Sequence, residues 1–230
     1  MTIGECLEQV KRNISFEAPQ VEDSLLFTAN AVMRRIERMF DWSFEYTVEA
    51  TKTQDAQGNP TKILPLPTGC KRLLYITYPI EDPQSPIIIA SYVSDEFYLS
   101  RTSPSFQKEQ GRPRGFLLRA DHIELVPTPD KVYDIFLHYY KWLPEFTSLQ
   151  DTNALIQNYP DMVVEFITAQ VLFQLGETQE AMVWEQKATL KLNEAIRHDK
   201  MLRVSQPAYI EPLPPQPSLS ALERWKVTFE

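Results

Sequence analysis

Two apolar stripes of helical period meet at one glycine between residues 158 and 198, and this pair constrains the chain more than any other feature. In the first arm Pro160 occupies the first helical position, where no donor is needed. Asp161 follows in the first turn, where the helix dipole favours negative charge. Asn158 or Tyr159 is then the cap. Val164, Ile167, Val171 and Leu175, widened by Val163, Phe166 and Leu172, keep the i, i+3/i+4 spacing of a buried face until Gly176 closes the helix as a left-handed C-cap. The second arm starts at once, with Thr178 as N-cap, Glu180 in its first turn and a stripe of Ala181, Trp184, Ala188, Leu192 and Ala195. The arms are expected to be antiparallel neighbours that approach through the alanines while the Trp184 indole fills the gap, burial worth roughly 1.5–3 kcal/mol. Val164, Ile167, Val171, Trp184 and Leu192 are therefore the expected core of a helical bundle.

At the other end of the chain, residues 2–13 put Ile3, Leu7 and Val10 on one face of a short helix. A longer helix is predicted from Val21, with the stripe Leu25, Ala29, Val32, Ile36, Met39 and Phe40, acids Glu22 and Asp23 at its start, and Arg34, Arg35 and Arg38 toward its end. It stops near Asp41-Trp42. Phe44, Tyr46 and Val48 then alternate with polar residues, the period of a half-buried strand.

The next hundred residues read as β structure broken by turns. Residues 46–53 and 61–66 flank Gln57-Gly58-Asn59-Pro60 and are expected to form a hairpin with a loop longer than two residues. Further strands are predicted over 73–78, 116–119, 122–126 and 132–141, with Pro127-Thr128-Pro129-Asp130 as a turn. Residues 94–100 and 105–110 read as candidate short helices. No fixed-period repeat is present, and one helical hairpin is too few for a solenoid.

Beyond Lys200 the prolines at 207, 212, 214, 215 and 217 exclude a helix interior or a central strand, so residues 201–230 are expected to be an extended, semi-rigid arm. The arm ends in Trp225, Val227 and Phe229, alternating with Lys226 and Thr228. Disordered tails are poor in aromatics, so this alternation reads as a docking strand, with Tyr209 as a further apolar anchor. Residues 220–223 are also compatible with a helical turn.

These readings give an α+β fold: a helical bundle, made of the long N-terminal helix and the C-terminal hairpin, with an inserted antiparallel β subdomain and an extended C-terminal arm. The expected divisions are 1–45 for the N-terminal helices, 46–141 for the β-rich insertion, 142–200 for the hairpin and 201–230 for the arm.

Composition narrows the function classes. A chain of 230 residues, 43% hydrophobic, buries a real core. No stretch is long and apolar enough to span a bilayer, and residues 1–5 lack the basic start of an export signal, so no membrane partner is expected and the protein is expected to stay in the cytoplasm of the cell that makes it. Cys6 and Cys70 supply neither a disulfide framework nor a metal spacing and read as reduced, structural thiols. The net charge of −8 opposes any large sequence-independent attraction to nucleic acid.

Candidate chemistry is sparse. His122, His138 and His198 fall on two strands and a helix end, and only His122 has an adjacent carboxylate, Asp121. There is no Gly-rich phosphate loop, nucleophile elbow or paired catalytic signature, so no catalytic, metal-binding or cofactor-binding residue is assigned and no cofactor is expected. The compact basic cluster is Gly111-Arg112-Pro113-Arg114-Gly115, with Arg101, Lys108 and Arg119 nearby. Arg112 and Arg114 are candidates for a DNA contact, a subunit interface or a plain surface turn.

The order of several elements carries a resemblance. A long helix ending in Phe40-Asp41-Trp42, then Leu64-Pro65-Leu66-Pro67 before Lys71-Arg72-Leu73, the Gly111-Arg112-Pro113 turn, Ile123 to Asp130, Tyr139-Tyr140, Asn153, Tyr159-Pro160-Asp161 and Trp184 resemble, in that order, the adaptor (head-to-tail connector) proteins of tailed bacteriophages. The resemblance covers roughly residues 21–200. It implies a structural virion protein without catalytic activity, located in the neck or tail region. Copies are expected to form a ring, a dodecamer, between the portal protein and the tail or nozzle proteins, with genomic DNA passing through the lumen without specific binding. It also implies that the C-terminal segment, with Tyr209, Trp225, Val227 and Phe229, reaches the portal or an adjacent subunit. The alternative function is a DNA-packaging accessory that contacts nucleic acid through Arg112 and Arg114.

Overall fold

In a computed structural model the described residues are 1–14, 24–79, 89–92 and 110–204. The chain opens with α1 (Ile3–Ile14) and α2 (Leu25–Met39), followed by a 3₁₀ turn at Ser43–Glu45. Seven strands come next: β1 (Tyr46–Lys52), β2 (Ile63–Pro65), β3 (Cys70–Thr77), β4 (Ile89–Tyr92), β5 (Gly115–Leu118), β6 (His122–Val126) and β7 (Asp134–Lys141). The described chain ends with α3 (Ala154–Asn158), α4 (Pro160–Leu175) and α5 (Thr178–Val204). The fold is α+β.

Helix α4 is apolar nearly all round, as a helix enclosed by others must be. Met162, Val163, Phe166, Ile167, Ala169, Val171 and Leu172 are all at most 2% exposed, and α1, α2 and α5 pack against it. Val164, Ile167, Val171 and Leu192 share one cluster with Ile3, Val10, Ala29, Ile36 and Leu155. Tyr159 caps α4, and Gly176, at φ 85°, is the left-handed stop that an L side chain disfavours. Lys191 meets Glu165 at 2.8 Å and the Tyr159 hydroxyl meets His198 at 3.1 Å, so the start of α4 lies beside the end of α5, and the two run antiparallel.

Four expectations need correction. Trp184 is only half-buried and lies outside the core cluster, with Lys187 Nζ 4.3 Å from its ring centroid. Ala181, Ala188 and Ala195 bring α5 too close for an indole to enter, so Trp184 lies along the margin of the contact. The large ring at the centre of the helical core is instead Trp42, fully buried. Thr178 is the first residue of α5 rather than its cap; its hydroxyl donates to the Gly176 carbonyl, and Glu177 O accepts from Ala181 N. Helix α5 continues past His198 to Val204.

The fourth correction concerns the sheet, whose order is β1-β7-β3-β4-β5-β6-β2. β1 and β2 do not pair as a hairpin. The loop between them closes on itself through the bridge Gln54↔Pro60, and Asp55 accepts backbone bonds from Gln57 and Asn59. Its strands then diverge, β1 to β7 and β2 to β6. Every pairing is antiparallel except β4 with β5. The turn signal was local and correct, but strand partnership was decided by which inward faces share a core. Leu64 of β2, Ile123 and Leu125 of β6, and Ile135, Leu137 and Tyr139 of β7 all bury in one cluster, so the twisted sheet folds over its own inner face.

Helix α3 had no expected counterpart. The Asn153 side chain accepts from Ile156 N at 3.1 Å and starts the turn, which buries Leu155 and Ile156 completely. Residues 94–100, most of 105–110 and the arm beyond 204 lie outside the described residues.

Candidate functional site

The helical core and the sheet core are separate apolar clusters, joined by a compact set of charged side chains. Helix α2 ends at Phe40, whose backbone is extended, and the chain turns through Asp41 and Trp42 into the 3₁₀ turn. Lys71, at the start of β3, reaches this turn. Its Nζ donates to Glu45 Oε2 at 2.7 Å and to the Phe40 carbonyl at 2.8 Å, and lies 3.3 Å from Asp41 Oδ1. Arg72 pairs with the other Asp41 oxygen at 2.7 Å. Thus Phe40-Asp41-Trp42 and Lys71-Arg72, thirty residues apart, are two halves of one contact.

Two more carboxylates tie in the remaining elements. Glu37 accepts from Leu143 N, just after β7, at 2.6 Å and from Arg34 at 3.0 Å. Asp199 of α5 accepts from the Ser43 backbone at 3.0 Å, the Ser43 hydroxyl at 2.6 Å and Arg203 Nε at 2.9 Å. Arg203 also donates to the Tyr140 hydroxyl at 3.1 Å and to the Asp41 carbonyl. Glu37, Glu45 and Asp199 are each 1% exposed. Buried charges of this kind persist only when paired and hydrogen-bonded, and here one network fixes the attitude of α2, α5, β3 and β7.

Burial pushes the Glu45 carboxyl from 4.5 up to about 7 against the pull of Lys71, and burial raises Glu37 as well. A carboxyl raised in the folded state contributes stability that is fully present below its unfolded value and is lost as pH rises through the folded one. Unfolding in urea is therefore expected to show a loss of roughly 3 kcal/mol at Glu45 between about pH 4.5 and 7. Glu45→Gln is expected to flatten that part of the profile. An unchanged profile in the variant would show that Glu45 does not titrate in this range.

The Asp121 carboxylate accepts from His122 at 2.7 Å, a bond that holds it below the usual range, and the pair stands on the surface. His138 stacks on Tyr75 with centroids 4.4 Å apart and meets Thr77 Oγ1 at 2.9 Å, and burial lowers its pKa. Burial raises the Cys6 thiol to about 11, which leaves it unreactive, and Cys70 is raised in the same way. Among the described residues no three His, Cys, Asp or Glu side chains group together as metal ligands. A shallow groove of about 310 Å³ between the α4 start and the α5 end is lined by Tyr159, Lys191 and His198, whose polar ends bond within the protein.

The two candidate arginines do not act as a pair. The Arg112 guanidinium sits 4.2 Å from the Tyr78 ring centroid and is half-buried, while the Tyr78 hydroxyl donates to the Pro113 carbonyl at 2.7 Å. Arg114 is exposed, with its backbone N–H on Val126 O at 2.9 Å. Arg112 thus packs the 111–115 turn onto the sheet core, and Arg114 alone faces solvent. Tyr209, Trp225, Val227 and Phe229 lie outside the described residues.

What the surface does offer is apolar area. On α5, Val183, Leu190 and Met201 recur at helical spacing opposite the α4 contact and are 51%, 67% and 70% exposed. Sequence reasoning used the inner stripe of this helix and missed the outer one, although its spacing of seven and eleven residues was legible. The model of a protein family described as SU10 adaptor protein matches residues 1–210, and no curated protein matches the chain.

Proposed function

We propose, because the chain belongs to the SU10 adaptor protein family of tailed-phage adaptors, that it is the adaptor subunit that forms a ring between portal and tail in the virion neck. The family match over residues 1–210 carries this reading. The charged joint is consistent with a rigid structural part, since it holds helices and sheet in one attitude without presenting a reactive group. The exposed row Val183, Leu190 and Met201 offers each copy an apolar surface for its neighbour, which suits the closed heterologous contacts of a ring. Twelve copies, matching the usual order of phage connectors, are proposed, with the portal on one side and tail or nozzle proteins on the other. A net charge of −8 favours a lumen through which DNA passes without sticking.

The test is co-purification of the full chain with its portal protein, followed by mass measurement of the complex. A multi-copy ring is expected. A single copy, or a simple dimer, would overturn the ring.

A further inference from the structure

Between bundle and sheet the described chain passes twice, from α2 to β1 through residues 40–45 and from β7 to α3 through residues 142–153. The two passages lie side by side. Lys71 Nζ, bonded to Glu45 on the first, is 5.3 Å from the ring centroid of Trp142 on the second, and Glu37 of α2 accepts from Leu143 N. The helical and sheet cores share no residue, so these passages and the charges around them set the angle between the two bodies. A hinge has this form: a few residues at element ends absorb a change of angle while both bodies stay packed.

Each carboxylate of the joint except one has an arginine at hand. Arg34, which also reaches Glu145, pairs with Glu37 at 3.0 Å, Arg72 pairs with Asp41 at 2.7 Å and, on α5, Arg203 pairs with Asp199 at 2.8 Å. Glu45 has only Lys71 as its cation, and shares it with Asp41 and the Phe40 carbonyl. It can therefore take up a proton without leaving a cation unpaired, because Lys71 keeps Asp41. From α4 the facing group is the Tyr159 ring, tilted on Trp42 with its hydroxyl on His198, and α5 adds Lys200, 5.9 Å from the Phe40 ring centroid. The second Glu45 oxygen, Oε1, is enclosed with no hydrogen-bond partner among the described residues, as is Nε1 of Trp42 on the same turn.

We propose that the joint is a proton-locked hinge: Glu45 holds it closed while it carries a proton, and when that proton passes to solvent the 40–45 turn opens to water and the sheet swings against the bundle. An ionised Glu45 leaves one buried oxygen without a donor, a cost that water admitted by opening removes and that a neutral carboxyl does not carry. Burial above all, with the like charge of Glu37, opposes ionisation in the closed form against the pull of Lys71 and puts the carboxyl at about 7. In the open form it returns to the ordinary carboxylate range. The preference for closure is thus fully present below about pH 4.5 and is lost as pH rises to about 7. The hinge belongs to the single chain and does not depend on ring formation.

Pulsed electron-spin distances on the full chain test this. Labels at Phe27→Cys on α2 and Ile63→Cys on β2, both exposed, span the joint, and labels at Phe27→Cys and Leu190→Cys stay within the bundle. Cys70→Ala is added in each case, and Cys6 is buried, so only the chosen thiols react. From about pH 5 to about pH 8 the spanning distance is expected to shift or broaden by several Å while the bundle distance stays constant, and in Glu45→Gln the spanning distance is expected to keep its acid form throughout. A spanning distance that is the same at both pH values would overturn the hinge, and so would a bundle distance that changes with it, since that is loss of folding rather than a swing. A shift that persists in Glu45→Gln would pass the switch to another group and overturn the role of Glu45. The first two outcomes are read with Glu45 in place, whether or not the glutamine variant folds.

Discussion

Trp42→Ala is expected to cost about 3–5 kcal/mol, the range for deleting a large aromatic from a core. The indole is fully buried, packed edge-on against Phe40 with centroids 5.0 Å apart, stacked on Phe44 at 5.7 Å and tilted against Tyr159 at 5.2 Å. Those rings come from the end of α2, the 3₁₀ turn and the cap of α4, so the cavity would open where three elements meet and none can collapse alone. The charged joint lies on the same turn, and it loses its backing when the indole goes. Trp184→Ala is the companion measurement. Its half-exposed ring covers the margin of α5, and the loss there should be ~1 kcal/mol or less. Urea midpoints of the two variants, compared at equal slope, test both. If Trp184→Ala proved the costlier, the placement of these two rings would be wrong.

Lys71→Met is expected to be of similar size, about 3–5 kcal/mol near pH 8, because it strands a buried carboxylate. The Lys71 ammonium, 7% exposed, is the cation on Glu45, and it also serves Asp41 and the Phe40 carbonyl. Methionine preserves the length of the stem and removes only the charge and its bonds. Since Glu45 already titrates high, at about 7, lowering the pH allows it to neutralise, and the penalty should shrink toward about pH 5. The double variant Lys71→Met/Glu45→Gln should recover part of the loss. A penalty that is the same at both pH values, with no recovery in the double variant, would mean that Lys71 acts through packing alone.

Local chemistry left clear marks in the sequence. Pro160, Asp161 and Gly176 bounded α4 because a missing donor, a dipole-facing acid and a left-handed stop each act within one turn of the chain. His122 to Val126 alternates strictly, and the strand has those limits. The apolar stripe of α4 likewise identified Val164, Ile167 and Val171, since a helix with that spacing has one way to hide them.

What the sequence by itself determined, then, is where elements begin, where they end and which faces are apolar, all matters of short-range sterics and period. Only the tertiary structure decided which faces meet. β1 and β2 carry sound turn residues between them, yet each pairs elsewhere, because seven strands bury more apolar area around one core than an isolated hairpin does. Both Trp42 and Trp184 sit among apolar neighbours in sequence. Closest approach through alanines closed the gap that Trp184 was expected to fill, and a turn between two cores enclosed Trp42. Glu37, Glu45, Lys71 and Asp199 look like surface charges in a sequence, and each is one only until its partners arrive from over a hundred residues away or from another layer of the fold. Burying a charge is tolerable only once the whole network exists, so no local pattern announces it.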